Sequence, residues 1–291
     1  MRAVTATIID GKAIAAQIRS EVAERVQALQ DRGVIPGLAA VLVGDDQASR
    51  IYVGAKHKAS ADVGIRSEQV DLPAFVTEDN LLATIRRLNR DPEIHGMIVQ
   101  LPLPGHLKEL SVQMAVDPAK DVDGLHPINV GMMMRNDPTF PPPTPYGIVE
   151  LLLRSGTELE GQEVVVVGYG ELVGAPLSIM LAQDSIRGNA TITICHVRTR
   201  DLAAHTRRAD ILVAAAGVPQ MITGDMIKPG ATVVDVGVHR TPDGLVGDVN
   251  YQEAVEVAGA ITPVPGGVGP MTVAMLLVNT VAAAEAAAYA R

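Results

Sequence analysis

The stretch that most constrains the fold is Glu163-Val-Val-Val-Val-Gly-Tyr-Gly-Glu-Leu-Val-Gly-Ala-Pro176. Its β-branched run suits a strand buried on both faces of a parallel sheet. Gly168, Gly170 and Gly174 then punctuate a turn, and Pro176-Leu-Ser-Ile-Met-Leu181 resumes with helix-compatible spacing. In a strand, glycine turn and helix start, a backbone can approach a pyrophosphate at the helix N-terminus. The G-x-G-x-x-x-G spacing is one residue longer than the usual fingerprint, so the loop alone fits a tight turn without ligand equally well. The chain beyond it favours the dinucleotide. Residues 190–195, 211–215 and 232–236 are further apolar strand-like runs. Helix-compatible segments lie between most of them, the rhythm of a doubly wound α/β domain.

The length, 291 residues, accommodates two domains. No apolar run reads as long enough to span a bilayer, and the N-terminus lacks the apolar segment of a signal peptide. A soluble, cytoplasmic protein is expected. The single cysteine, Cys195, lies in a predicted buried strand and agrees with a reducing compartment. Acidic residues outnumber basic ones 33 to 24, which argues against a broad nucleic-acid surface. Two phenylalanines, five tyrosines and no tryptophan leave little for base stacking.

The N-terminal half also reads as α/β. Asp10 is placed to cap a long helix with Ile14, Ile18, Val22, Val26 and Leu29 facing a core and Gly33 ending it. Residues 38–43 form the next strand, and Ser49 is expected to cap a helix running to about Val63. Tyr52 and Lys56 share a face of that helix, near the carboxyl end of the preceding strand, where open α/β sheets place ligands. Taken alone, the pair also fits a solvated lysine beside a half-buried tyrosine. Thr77 caps an amphipathic helix, and residues 96–101 form a strand with Gln100 near its carboxyl end, a polar group that needs partners for its donor and acceptor. Lys56 is a candidate partner. Asp121 and Asp123 follow in a turn-rich loop. They supply too few oxygens for a cation loop, and suit either a guanidine-like ligand edge or a capping role.

Pro141-Pro-Pro-Thr-Pro-Tyr-Gly147 marks a domain border, with Thr144 as N-cap and Pro145 at the first helical position. Pro263-Val-Pro-Gly-Gly-Val-Gly-Pro-Met-Thr272 is a stiff loop with bare amides, and Pro270 is expected to begin a last helix. That helix has no strand left to cross to, so it is expected to pack back on the first domain. The resulting boundaries are 1–143 with 270–291 for one domain and 144–269 for the other.

Tyr52-Val-Gly-Ala-Lys56, Val99-Gln-Leu-Pro-Leu-Pro104, Lys120-Asp-Val-Asp-Gly124 and the 263–272 loop together resemble the bifunctional methylenetetrahydrofolate dehydrogenase/methenyltetrahydrofolate cyclohydrolase family, over essentially the whole chain. Four matches in order are far more specific than one glycine loop. The resemblance implies two α/β domains facing across a cleft, the second a Rossmann-like dinucleotide-binding domain, and a homodimer formed through the nucleotide domains. It implies that 5,10-methylenetetrahydrofolate is oxidised with NADP and that the methenyl product is hydrolysed to 10-formyltetrahydrofolate. Lys56, Gln100, Tyr52 and Asp123 would be the catalytic set. Tyr52 would stack on the folate, Gln100 would hold Lys56, and Asp123 would bond the pterin edge. Leu101, Pro265, Gly266 and Gly269 would complete the substrate site. Gly168, Tyr169, Gly170, Gly174, Arg198, Val238 and Thr272 would bind the cofactor. A lysine whose pKa is lowered by burial in a neutral site is a reasonable proton-transfer agent, and no metal is called for.

The chain departs from the family pattern at three places. Many members carry Gly-Arg-Ser at the dinucleotide turn, where this chain has Gly168-Tyr169-Gly170. Val197 stands where a serine is common, and Pro143 where a cysteine is. No acidic residue ends the 191–195 strand, where NAD enzymes place a ribose-binding carboxylate, whereas Arg198 and Arg200 lie just beyond it. NADP is therefore expected, with NAD possible. A dehydrogenase without cyclohydrolase activity and a non-catalytic dinucleotide-binding protein are the alternatives.

Overall fold

The computed structural model describes residues 5–137 and 140–289. The strands in chain order are β1 (Thr7–Ile8), β2 (Gly37–Val43), β3 (Arg66–Leu72), β4 (Gly96–Val99), β5 (Glu163–Val167), β6 (Thr191–Cys195), β7 (Ile211–Ala214), β8 (Thr232–Asp235), β9 (His239–Thr241), β10 (Gly244–Val246) and β11 (Ala260–Ile261). The chain divides into two compact units, Ala16–Pro143 with Val273–Arg291, and Met1–Ala15 with Thr144–Thr272.

The first unit contains a parallel sheet in the order β3-β2-β4. Every residue of β2 is buried, as a central strand covered on both faces must be. The helix Glu78–Arg90 packs on it through Leu81, Ile85 and Leu88, and the Thr77 hydroxyl accepts from the Asn80 amide at 3.4 Å. The helix carrying Tyr52 and Lys56 runs Gln47–Asp62. Its cap is Asp46, whose Oδ2 accepts from the Ser49 amide at 2.7 Å, so Ser49 is the capped residue and not the cap. A carboxylate three residues upstream reaches that amide, and it also suits the positive end of the helix dipole.

The second unit contains a six-stranded sheet in the order β1-β11-β8-β7-β5-β6, parallel at every pairing. The chain goes from β5 to one side for β6 and returns to the other side for β7. The topological switch therefore lies between β5 and β7, where doubly wound sheets open a ligand crevice. β1 pairs with β11, and this explains why residues up to Ala15 group with the second unit and not with the first, as the sequence boundaries had them. The expected cap at Thr144 is also corrected. The helix begins at Pro143, and the Thr144 hydroxyl bonds the Thr272 hydroxyl at 2.9 Å.

The last helix, Val268–Tyr289, corrects two readings. It starts before Pro270, whose missing N–H is harmless in a first turn. At 22 residues and mean hydropathy 1.6, it is also long and apolar enough by composition to cross a membrane. More than half of that apolar stretch is buried inside the fold. Arg25 grips Glu285 at 2.7 Å, and the buried Asn279 donates to the carbonyls of Val122 and Pro141 at 2.9 and 2.8 Å. These are the ties of a core helix.

Candidate active site

In the first unit, Lys56 is 9% exposed, and its Nζ donates to Gln100 Oε1 at 3.1 Å. Gln100 Nε2 donates to the Leu101 carbonyl at 2.8 Å. That second bond fixes the amide so that its oxygen, and not its nitrogen, faces the lysine. Two residues 44 apart in sequence are thus joined, Lys56 by the helix after β2 and Gln100 by the end of the adjacent β4. Tyr52, one helical turn before Lys56, is 47% exposed and leaves ring surface open.

Asp123 lies within electrostatic reach of Lys56. Burial raises its pKa, the Lys56 charge pulls it back down, and the Asp121 carboxylate pushes it up. Asp121 is buried and engaged: its Oδ2 accepts from the His126 amide and from Asn129 Nδ2, both at 2.8 Å. The loop is further pinned at Val122 by Asn279 and at Lys120, whose Nζ donates to the carbonyls of Leu88 and Asp91. Asp121 is therefore a scaffold for the loop that presents Asp123. Among the described residues no group of three or more His, Cys, Asp or Glu is arranged to hold a metal.

The other expected residues lie in the second unit. Gly168 has φ +114°, and a Cβ there would sit 2.0 Å from the Ala215 carbonyl oxygen. A Cβ on Gly174 would meet the Gly168 oxygen at the same distance, whereas one on Gly170 meets nothing within 4 Å. Two glycines close the turn, and the third faces open space at the start of the Gly174–Ala182 helix. The turn thus fits a dinucleotide pyrophosphate, with backbone amides at a helix N-terminus. Tyr169, Arg198 and Val238 are exposed, and Thr272 is half-buried beside Thr144. Pro265 and Gly269 are exposed while Gly266 is buried. A cavity of about 500 Å³ lined by Thr157, Glu158, Asp210 and Lys228 lies at the amino ends of β7 and β8, the opposite edge from the glycine turn.

A buried carboxylate pair in this unit escaped the sequence reading. Asp235, at the end of β8, accepts from the amides of Gly237, Asp248 and Val249. Its pKa is pushed up to about 6, by burial first and by the Asp248 carboxylate, against the pull of those amides. A carboxyl whose folded pKa is raised contributes stability below its unfolded pKa and loses it as pH rises through the folded value. The stability advantage of the parent over Asp235→Asn is thus expected to shrink by about 2 kcal/mol between pH ~4 and pH ~6.5. Denaturant titrations of both proteins across that range measure it, and an advantage growing with pH would reverse the assignment.

A parallel sheet with a glycine turn at its switch point, joined in one chain to a second α/β unit carrying a buried lysine, defines a dinucleotide-binding enzyme class. Two family profiles match the chain. The tetrahydrofolate dehydrogenase/cyclohydrolase catalytic domain covers residues 9–123, and the NAD(P)-binding domain of the same family covers residues 142–288. The bifunctional protein FolD of Bordetella avium is 56% identical over 282 residues, 97% of this chain and 98% of that protein. Among solved structures, the Campylobacter jejuni bifunctional enzyme FolD, a methylenetetrahydrofolate dehydrogenase/cyclohydrolase, matches with TM-score 0.93 and 44% identity, covering 96% of this chain and 99% of that one. The Trypanosoma brucei dehydrogenase-cyclohydrolase, complexed with NADP and an inhibitor, matches with TM-score 0.92 and 41% identity over 97% and 98%. The chain belongs to the tetrahydrofolate dehydrogenase/cyclohydrolase family.

Proposed function

We propose that this chain oxidises 5,10-methylenetetrahydrofolate and hydrolyses the methenyl product to 10-formyltetrahydrofolate, acting in the cytoplasm as a homodimer. The observation that carries the reading is the Lys56–Gln100 pair, a buried lysine bonded to a neutral amide whose orientation is fixed. High identity to bifunctional relatives over nearly the full length supports it. Tyr52 offers its ring face to the folate, Leu101 adds apolar contact, and Asp123 accepts from the guanidine-like pterin edge.

A bound NADP would supply the acceptor for the hydride lost from the methylene carbon. The residues suited to hold it are Gly168, Gly170 and Gly174 at the pyrophosphate, with Tyr169, Val238 and Thr272 beside them. Oxidation asks the protein for orientation, and hydrolysis asks it to move protons. Lys56 Nζ is the proton-carrying atom. It is kept by Gln100 in one place and is not locked in a direct ion pair with Asp123.

The 2′-phosphate falls to the loop after β6. There the Arg198 amide donates to His196 Nδ1 and the His196 amide to the Thr199 hydroxyl, a tight turn that leaves Arg198 and Arg200 exposed. An arginine fork suits phosphate, and Tyr169 brings no charge. Arg198→Ala is expected to raise the KM for NADP about ten-fold and to leave that for NAD nearly unchanged. Saturation curves with both cofactors, on parent and variant, test it together with the dehydrogenase assignment. Equal losses with both cofactors would make Arg198 structural. A parent that strongly prefers NAD would remove NADP, and a parent inert with either would remove the dehydrogenase.

A further inference from the structure

We propose that Asp248 and His239 form a positioning pair that fixes the wall of the dinucleotide crevice, a task carried by neither the glycine turn nor the phosphate-facing arginines. The proposal rests on the dinucleotide reading above. Asp248 is completely buried. Its Oδ2 accepts from the amides of Ala216 and Gly217 at 2.6 and 2.8 Å, and its Oδ1 meets His239 Nε2 at 2.7 Å. An ionised carboxylate only accepts, so His239 carries its proton on Nε2.

The partners decide what the pair does. Residues 215–217 leave β7 on the side of the switch point, and the Ala215 carbonyl packs directly against Gly168 of the glycine turn. Ala216 and Gly217 lie beyond the last β7 ladder position, so their amides receive from Asp248 what no strand supplies. His239 follows the exposed Val238 and opens the β9–β10 hairpin. One carboxylate therefore ties together the exits of β7 and β8, the two strands on the inner side of the crevice. Asp235 holds Asp248 in turn, through the amides of Asp248 and Val249. The local sequence makes room for both groups. A Cβ on Gly237 would lie 2.2 Å from Asp248 Oδ1, and one on Gly247 would lie 1.8 Å from Asp235 Oδ2.

Asparagine at 248 keeps the shape but removes the charge: its oxygen still accepts from the two amides, while its N–H₂ faces His239, which must switch tautomer to accept it, so three charge-assisted hydrogen bonds become neutral ones. Such a loss at a buried site corresponds to about ten-fold or more. The test compares parent, Asp248→Asn, His239→Ala and His239→Gln. NADPH binding is followed by the fluorescence of the nicotinamide, KM by methylenetetrahydrofolate oxidation, and melting temperature separately. Hydrolysis of methenyltetrahydrofolate without any dinucleotide supplies the internal control. Asp248→Asn is expected to weaken NADPH binding about ten-fold and to raise the KM for NADP alike, with the folate KM and the hydrolysis rate within about two-fold of the parent. His239→Ala is expected to lose less, and His239→Gln, which keeps a donor, to recover most of it. Unchanged NADPH affinity in Asp248→Asn overturns the proposal, as does a loss of hydrolysis equal to the loss of binding. If Asp248→Asn fails to fold, the histidine variants decide: equal affinity of His239→Ala and parent overturns the pair, and rescue by glutamine sustains it. A parent that binds no NADPH overturns the dinucleotide reading itself.

Discussion

Lys56→Met is expected to cut methenyltetrahydrofolate hydrolysis by about a hundred- to ten-thousand-fold, the range for removing a general acid–base group. Methionine preserves the length and apolar stem of the lysine while deleting the titrating atom, so the buried volume stays filled. NADPH binding, which depends on the other unit, is expected to change little. Gln100→Met tests the same step from the other side. Lys56 loses the acceptor at 3.1 Å that fixes its nitrogen, and hydrolysis is expected to fall while the lysine itself remains. Stopped assays of methenyl hydrolysis on the two variants measure both effects. Parental hydrolysis in Lys56→Met would take lysine out of the mechanism.

Asp123→Ala is expected to raise the folate KM roughly ten- to a hundred-fold in both activities, because charge-assisted hydrogen bonds to a carboxylate are stronger than neutral ones. The affinity for NADP is expected to stay as it was. The rigidity of the loop sharpens the expectation. With Asp121 bonded to His126 and Asn129, and Val122 bonded to Asn279, the alanine variant keeps its backbone and loses only the carboxylate. The raised pKa of Asp123 adds a pH signature, since its charged form is lost as pH falls through that value and folate binding weakens with it. Asp123→Ala removes that dependence. Folate titrations over pH separate the two outcomes, and an unchanged affinity would return Asp123 to a loop-capping role.

Much of this was legible in the chain because the informative residues sit at the ends of apolar runs. The β-branched stretch before Gly168 announced β5, and Gln100 stood out as a polar residue closing β4. A buried amide needs partners, and that need alone points Gln100 to Lys56. Local signals failed where a partner lies far away in sequence. The edge strand β3 reads Arg-Ser-Glu-Gln-Val-Asp-Leu, with no apolar run to mark it, because one side of an edge strand faces solvent. β1 is two residues long and acquires its place only by pairing with β11. Asp46 and Ser49 are both good cap residues in sequence, and only the backbone decides which lies outside the helix. Asp235 and Asp248 look like ordinary strand-end and turn aspartates. The one signal was the glycine near each, Gly237 and Gly247, and its meaning depends on two segments meeting in space.

One chain is expected to carry methylenetetrahydrofolate through both steps. The most direct measurement mixes the protein with 5,10-methylenetetrahydrofolate and NADP, then quantifies reduced nicotinamide and 10-formyltetrahydrofolate in the same samples over time. The two products are expected to accumulate together, with formyl product appearing far faster than methenyltetrahydrofolate hydrolyses in buffer. Reduced nicotinamide accompanied only by methenyltetrahydrofolate would contradict the bifunctional assignment and leave a dehydrogenase alone.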